Sequence, residues 1–211
     1  MNEKPILFNS EMVNAILSGR KTQTRRIMKI QPQVTEQRLR ELGAWQDGFN
    51  LSQQVNAAFQ AGFIDVSCPL GVIGDQLWVR ECFRVHSRAT DVATLVYRAS
   101  ERNSWTEQTR RVPVSDCNRP VSPEKWTPSI HMPRWASRIN LIITGVRVER
   151  LNTISTGDAM AEGYPAEREA TGGPLDAWLW FRELWDGIYP DNTFEVNPWC
   201  WVIEFERMEA K

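Results

Sequence analysis

The segment GRKTQTRR, residues 19–26, sets hydroxyl side chains among cations. Arg20, Lys21, Arg25 and Arg26 surround Thr22 and Thr24, and Lys29 lies just beyond. Lys21 and Thr24 are the pair whose types suit a reaction. Crowded by Arg20, Arg25 and Arg26, the Lys21 ammonium is pushed toward its neutral form by like charge. A neutral amine can take the proton of a threonine hydroxyl, which needs an adjacent base to become nucleophilic. The spacing is awkward, because residues three apart point to opposite faces of a regular strand. The pair can meet if Lys21 still belongs to the turn after Gly19, or if the strand bulges. The same run also reads as a solvated hairpin with arginine stems lying over a sheet, or as a wall for phosphate, whose oxygens match the guanidinium fork.

Two carboxylates are candidate partners. Glu162 stands at the end of a short helix, where unpaired carbonyls disfavour an anion, so it calls for water or a cation. Glu81, in VRECF, follows a strand and can pair with Arg80 or with the basic run, as a structural ion pair or as the lining of a cleft. Asp75 reads as a turn residue. His131 has no partner at metal-ligand spacing, and Cys68, Cys82, Cys117 and Cys200 are scattered with no Cys-x-x-Cys pair. No metal or cofactor is expected, and the thiols read as reduced. The fingerprints of phosphate-binding loops, dinucleotide folds, serine-hydrolase elbows and zinc-peptidase helices are absent.

The elements that must position these groups are partly legible. PILF reads as a strand, and Asn9 or Ser10 caps a helix carrying Met12, Val13, Ile16 and Leu17 on one face, which Gly19 ends. A strand is expected from Thr22 to Met28. Residues 31–72 are weakly patterned, with a helix at TEQRLREL. GDQLWVRECFRV feeds a strand from a Gly-Asp turn, and DVATLVYRAS is another. Residues 101–129 are polar and proline-rich and read as a long loop. A strand runs from Ile139 to about Leu151. Ser155 and Asp158 have capping-box spacing for a helix ending at Gly163. The next helix turns Leu175, Trp178, Leu179, Phe181, Leu184 and Trp185 inward. WCWVIEFERM closes the chain as a strand. Strands outnumber helices and repeats are lacking, so an α+β mixed barrel with helices at its rim is expected, in one domain over 1–211.

Bulk properties narrow the function. The net charge of the 211 residues is −1, so nucleic acid would have to be held by a local patch. No apolar run approaches the about 18 residues of a membrane helix, and MNEKPILFNS lacks an export signal. A cytoplasmic protein with no membrane partner is expected.

Three blocks carry a family resemblance: ILFNSEMVNAILSGRKTQTRR, GDQLWVRE and VERLNTISTGDAMAEGY. Together they resemble the ASCH domain, a PUA-like β-barrel, in the longer form found in phages and prophages. The likeness covers residues 4–30, 74–82, 139–165 and 198–206; about 31–72 and 83–135 stand as insertions. The resemblance implies RNA or a nucleoside-type ligand in a cleft beside the barrel. One small bacterial branch hydrolyses the amide of N4-acetylcytidine with a lysine and threonine in GRKTxTxR and a later helix-end glutamate. The matching residues are Lys21, Thr24 and Glu162, with Arg20, Arg25, Arg26 and Glu81 as ligand-binding candidates. Under that reading Thr24 attacks the carbonyl, Lys21 is base or transition-state cation, and Glu162 orients Lys21. Arg25 is an extra cation relative to the branch pattern. The alternatives are a non-catalytic RNA-binding module, a ribonuclease using no metal, and a partner-binding accessory protein.

Overall fold

The structure, a computed structural model, describes residues 2–209. Its first elements are β1 (Glu3–Leu7), α1 (Ser10–Leu17), β2 (Gln23–Ile27), α2 (Glu36–Glu41) and α3 (Leu51–Gln60). There follow β3 (Gln76–Arg80), β4 (Phe83–Arg88), β5 (Val92–Tyr97), α4 (Trp105–Gln108) and β6 (Thr109–Pro113). The chain ends with β7 (Asn140–Arg150), α5 (Thr156–Ala161), α6 (Ala166–Glu169), α7 (Asp176–Ile188) and β8 (Trp199–Arg207). The fold is α+β, with parallel and antiparallel strand pairs. Two compact units divide it. The first holds the chain up to Gly19, Gly74–Ile143 and the stretch from Glu206; the second holds Arg20–Ile73 and Thr144–Phe205.

In the first unit β1 runs parallel to β3, with Ile6 opposite Val79, and β3 pairs antiparallel with the start of β7. Leu77 and Val79 are buried while their neighbours are less so, the period-two pattern of a half-buried strand. α1 starts where Asn9 accepts a hydrogen bond from Met12 N, and it buries Met12, Val13, Ala15 and Ile16. β4, β5 and β6 form an antiparallel meander over a core of Phe83, Val85, Leu95, Tyr97, Val112 and Met132. Each such large side chain contributes about 1.5–3 kcal/mol on burial. The expected loop at 101–129 is therefore wrong in part: α4 and β6 lie inside it. TRRVP buries one residue, Val112, so its own pattern is silent, and pairing with β5 makes it a strand.

In the second unit β2 pairs antiparallel with β8, Thr24 opposite Ile203 and Arg25 opposite Val202. β8 lies between β2 and β7 in the strand order. α7 packs Ala177, Phe181 and Trp185, spaced by four, into a core with Leu151, Ile154, Tyr164 and Phe194. Leu175 and Leu179, expected to face inward, are 67% and 46% exposed. Leu175 precedes the first helical residue, and Leu179 sits about 200° around the helix from Phe181.

Candidate functional site

β2 begins at Gln23, not at Thr22, and that difference of one residue decides where Lys21 goes. Lys21 lies outside the ladder, in an isolated antiparallel bridge with Glu162, and Thr22 N donates to Ala161 O at 2.9 Å. The end of α5 is thus stitched to the start of the basic run. α5 is short, and its ends are defined locally. Ser155 and Asp158 form the reciprocal capping box, Glu162 is the C-cap, and Gly163 takes a φ of 107° that glycine adopts without strain.

Lys21 Nζ donates to the Glu162 carbonyl at 2.8 Å and to Glu162 Oε2 at 2.7 Å. Both residues are buried, 2% and 3% exposed. The other carboxylate oxygen, Oε1, accepts from Arg25 Nη1 at 3.2 Å. Arg25 Nη2 reaches Glu149 Oε2 at 3.1 Å and Asp158 Oδ2 at 3.5 Å, with the Phe181 ring 5.7 Å from its guanidinium. Arg147 completes the network. It donates to Glu149 Oε1 and Asp158 Oδ1, both at 2.7 Å, to Gln23 Oε1 at 3.0 Å, and also pairs with Glu204. Lys21, Arg25 and Arg147 therefore face Glu149, Asp158, Glu162 and Glu204, and two cations of the basic run, Lys21 and Arg25, are answered by carboxylates inside the fold.

Burial lowers the proton affinity of Lys21 most, Arg26 and Arg25 lower it further, and Glu162 opposes them; the net shift is downward. For Asp158, burial favours the neutral acid, yet the Ser155 hydroxyl, Arg25 and Arg147 outweigh it and hold the carboxyl below its usual range. Burial pushes the Cys200 thiol up to about 12. Cys200 is opposite Ile27 in the ladder and behaves as a core residue, inert as a nucleophile.

The expected residues separate into groups. Lys21, Arg25 and Glu162 come together. Thr24 is buried in β2, and strand alternation turns it to the face opposite Gln23 and Arg25. Its hydroxyl makes no hydrogen bond with Lys21 or Glu162 among the described residues. Arg20 donates to the carbonyls of Gly163 at 3.2 Å and Tyr164 at 2.9 Å, pinning the chain beyond α5. Arg26 is half-buried and donates to the Arg25 carbonyl at 3.2 Å. Glu81 belongs to the first unit. Its carboxylate is gripped by Arg138, at 2.8 and 3.0 Å, and not by Arg80. Burial raises the Glu81 pKa, against the pull of Arg138. Arg138 also reaches Ser100 and stacks 4.1 Å from the Tyr97 ring.

Gln23, Arg147 and Glu149 were not foreseen, and Asp158 was seen as a cap alone. The alternation Arg147, Glu149 in VRVER carried a signal: two opposite charges on one strand face ask for a polar partner surface. Gln23 presents an Nε2 donor with no acceptor among the described residues, its Oε1 being held by Arg147. Among the described residues no three His, Cys, Asp or Glu side chains are grouped to hold a metal ion, and no helix is long and apolar enough to cross a membrane.

No family model matches the sequence, and no curated protein matches it. Among solved structures, the chain is similar to the high-resolution crystal structure of an ASCH domain from Lactobacillus crispatus JV V101. The identity is 10% and the TM-score 0.40, over 98% of this chain and 79% of that one. What the chain does has to be read from its own residues.

Proposed function

We propose that the second unit is a hydrolase site for the amide of an acylated nucleoside, with N4-acetylcytidine as the substrate. The observation that carries this reading is the buried Lys21, tied at 2.7 Å to Glu162 and lowered in proton affinity. A lysine whose proton affinity burial has lowered is closer to the neutral form that can accept a proton and return it. In the first half-reaction the opening that admits substrate must also bring Thr24 Oγ1, which the closed strand turns away from Arg25, to Lys21; Thr24 Oγ1 then attacks the acetyl carbonyl while Lys21 takes its proton. The C–N bond then breaks, Lys21 returns that proton to the leaving nitrogen, and cytidine departs. Water enters by the same route, its proton passing through Lys21, and acetate leaves with Thr24 restored. Glu162 keeps Lys21 in place, and Gln23 Nε2 is the donor available to a ligand oxygen.

The same network speaks against phosphate as the ligand of this cluster. Lys21 and Arg25 already have carboxylates within 3.2 Å, so an incoming phosphate would meet Glu149, Asp158 and Glu162 as well as the cations. A neutral nucleoside meets no such repulsion. Because Lys21, Thr24 and Glu162 are 1–3% exposed, the covering chain has to open as the substrate enters. Incubating purified protein with N4-acetylcytidine, and separately with single-stranded RNA, tests the class. Cytidine and acetate in equal amounts support the hydrolase. Nucleoside binding without product reduces the proposal to a binding site, and shortened RNA replaces it with a nuclease.

A further inference from the structure

A second constellation lies in the first unit and serves no part of that chemistry. The proline-rich chain after β6 closes a pocket of about 260 Å3 whose lining includes Arg119, Ser122, Lys125, Trp126, Thr127 and His131. No carboxylate lines it. Arg119 and Lys125 enter no salt bridge among the described residues, nor does Arg84, whose guanidinium sits 5.0 Å from the Trp126 ring. Lys21, Arg25 and Arg147 are each matched by acids; these cations are not. Glu124, next to Lys125, is exposed and outside the lining.

The pocket is held by its own chain. Ser122 N donates to Val85 O at 2.8 Å, and Thr127 exchanges backbone hydrogen bonds with Phe83 at 2.8 and 3.2 Å. Arg119 Nη2 donates to His131 O at 2.8 Å, and Pro120 and Pro128 fix the backbone on either side of Trp126. Little ordering is left for a ligand to impose. Two unmatched cations, two hydroxyls and a histidine suit an anion with several oxygens. The indole in the same wall favours an anion that carries a base, since stacking on an aromatic side chain holds any nucleobase.

We propose that this pocket binds the phosphate of a nucleotide, with Arg119 and Lys125 on the phosphate and Trp126 against the base. The nucleotide is either free or one unit of a single strand. Titration calorimetry on the full chain tests it, with cytidine monophosphate, inorganic phosphate, cytidine and a short single-stranded oligoribonucleotide as probes. Cytidine monophosphate should bind at least about tenfold more tightly than inorganic phosphate or cytidine. Lys125→Glu should weaken it about tenfold or more; Lys125 is exposed, so the fold survives the change. Trp126→Leu should cost as much. The hydrolase reading stands or falls separately, because Lys125→Glu should leave turnover of N4-acetylcytidine unchanged. An oligonucleotide tighter than the mononucleotide identifies a strand as the source; equal affinity identifies the free nucleotide. Absence of mononucleotide binding, equal affinity for inorganic phosphate, or indifference to Lys125→Glu would overturn the proposal.

Discussion

Lys21 gives up its hydration to the carboxylate and carbonyl of Glu162, and that exchange sets what its neighbours have to do. A buried ion pair is poor as a stabiliser but costly to break, because removing one partner strands the other. Glu162→Gln should therefore lower stability by about 3–5 kcal/mol in urea unfolding and lower turnover by about 10²–10⁴. The pH dependence follows with its sign. The folded pKa of Lys21 lies below the unfolded value of 10.5, so the folded state binds fewer protons between the two. Stability should rise with pH across that window, and the rise should shrink in Lys21→Met; an unchanged rise would remove Lys21 as its source. Asp158 acts at the other end. Its contribution is present above the unfolded value of 3.8 and is lost as pH falls through the lowered folded value. Arg25 shares Glu162 with Lys21, so Arg25→Met should leave Lys21 with more of that carboxylate. The ascending limb of the pH–rate profile should then move to higher pH, and a fixed limb would show that Arg25 does not tune Lys21.

At the scale of elements, α5 carries the site through its ends. Ser155→Ala removes the acceptor of the Asp158 N–H, 3.0 Å away, and should cost about 1 kcal/mol by thermal unfolding. Gly163→Ala places a Cβ at a φ of 107° and should destabilise by more than about 1 kcal/mol, because a glycine replacement stabilises only where the backbone fits it. Turnover should fall with it, because Glu162 is the preceding residue. These ends were legible in the sequence because caps depend on residues three or four apart. The cap of α1 was legible for the same reason. β6 was not, since a strand that buries one residue is defined by its neighbour. The inward face of α7 was legible at Phe181 and Trp185 but not at Leu175 and Leu179, because apolar residues lie all round that helix, and only its true start shows that Ala177, Phe181 and Trp185 form the buried line.

Across the whole molecule, the network at Lys21 unites residues 141 positions apart. Nothing local announces that Glu162 will meet Lys21, and the expectation came from the resemblance. The unforeseen members Arg147 and Glu149 needed the fold itself, since their partners Arg25 and Gln23 come from another strand. Glu81 was assigned a ligand role, but its partner Arg138 lies 57 residues on, outside any motif. The net charge of −1 hides two opposite situations: a basic run in which Lys21 and Arg25 are paired with carboxylates, and a loop whose Arg119 and Lys125 enter no salt bridge among the described residues. The two should separate by salt. Raising salt from about 50 to 200 mM should leave the KM for N4-acetylcytidine nearly unchanged, because a neutral ligand releases no counterions. A steep rise of that KM with salt would mean that charge, and not the buried pair, holds the substrate.

The most direct test of the account is cytidine release from N4-acetylcytidine by the wild type, Lys21→Met, Thr24→Ala and Glu162→Gln, each first shown to be folded. The account predicts turnover in the wild type and its loss in all three variants. Turnover that survives Lys21→Met, or none in the wild type while the nucleoside still binds, would contradict it.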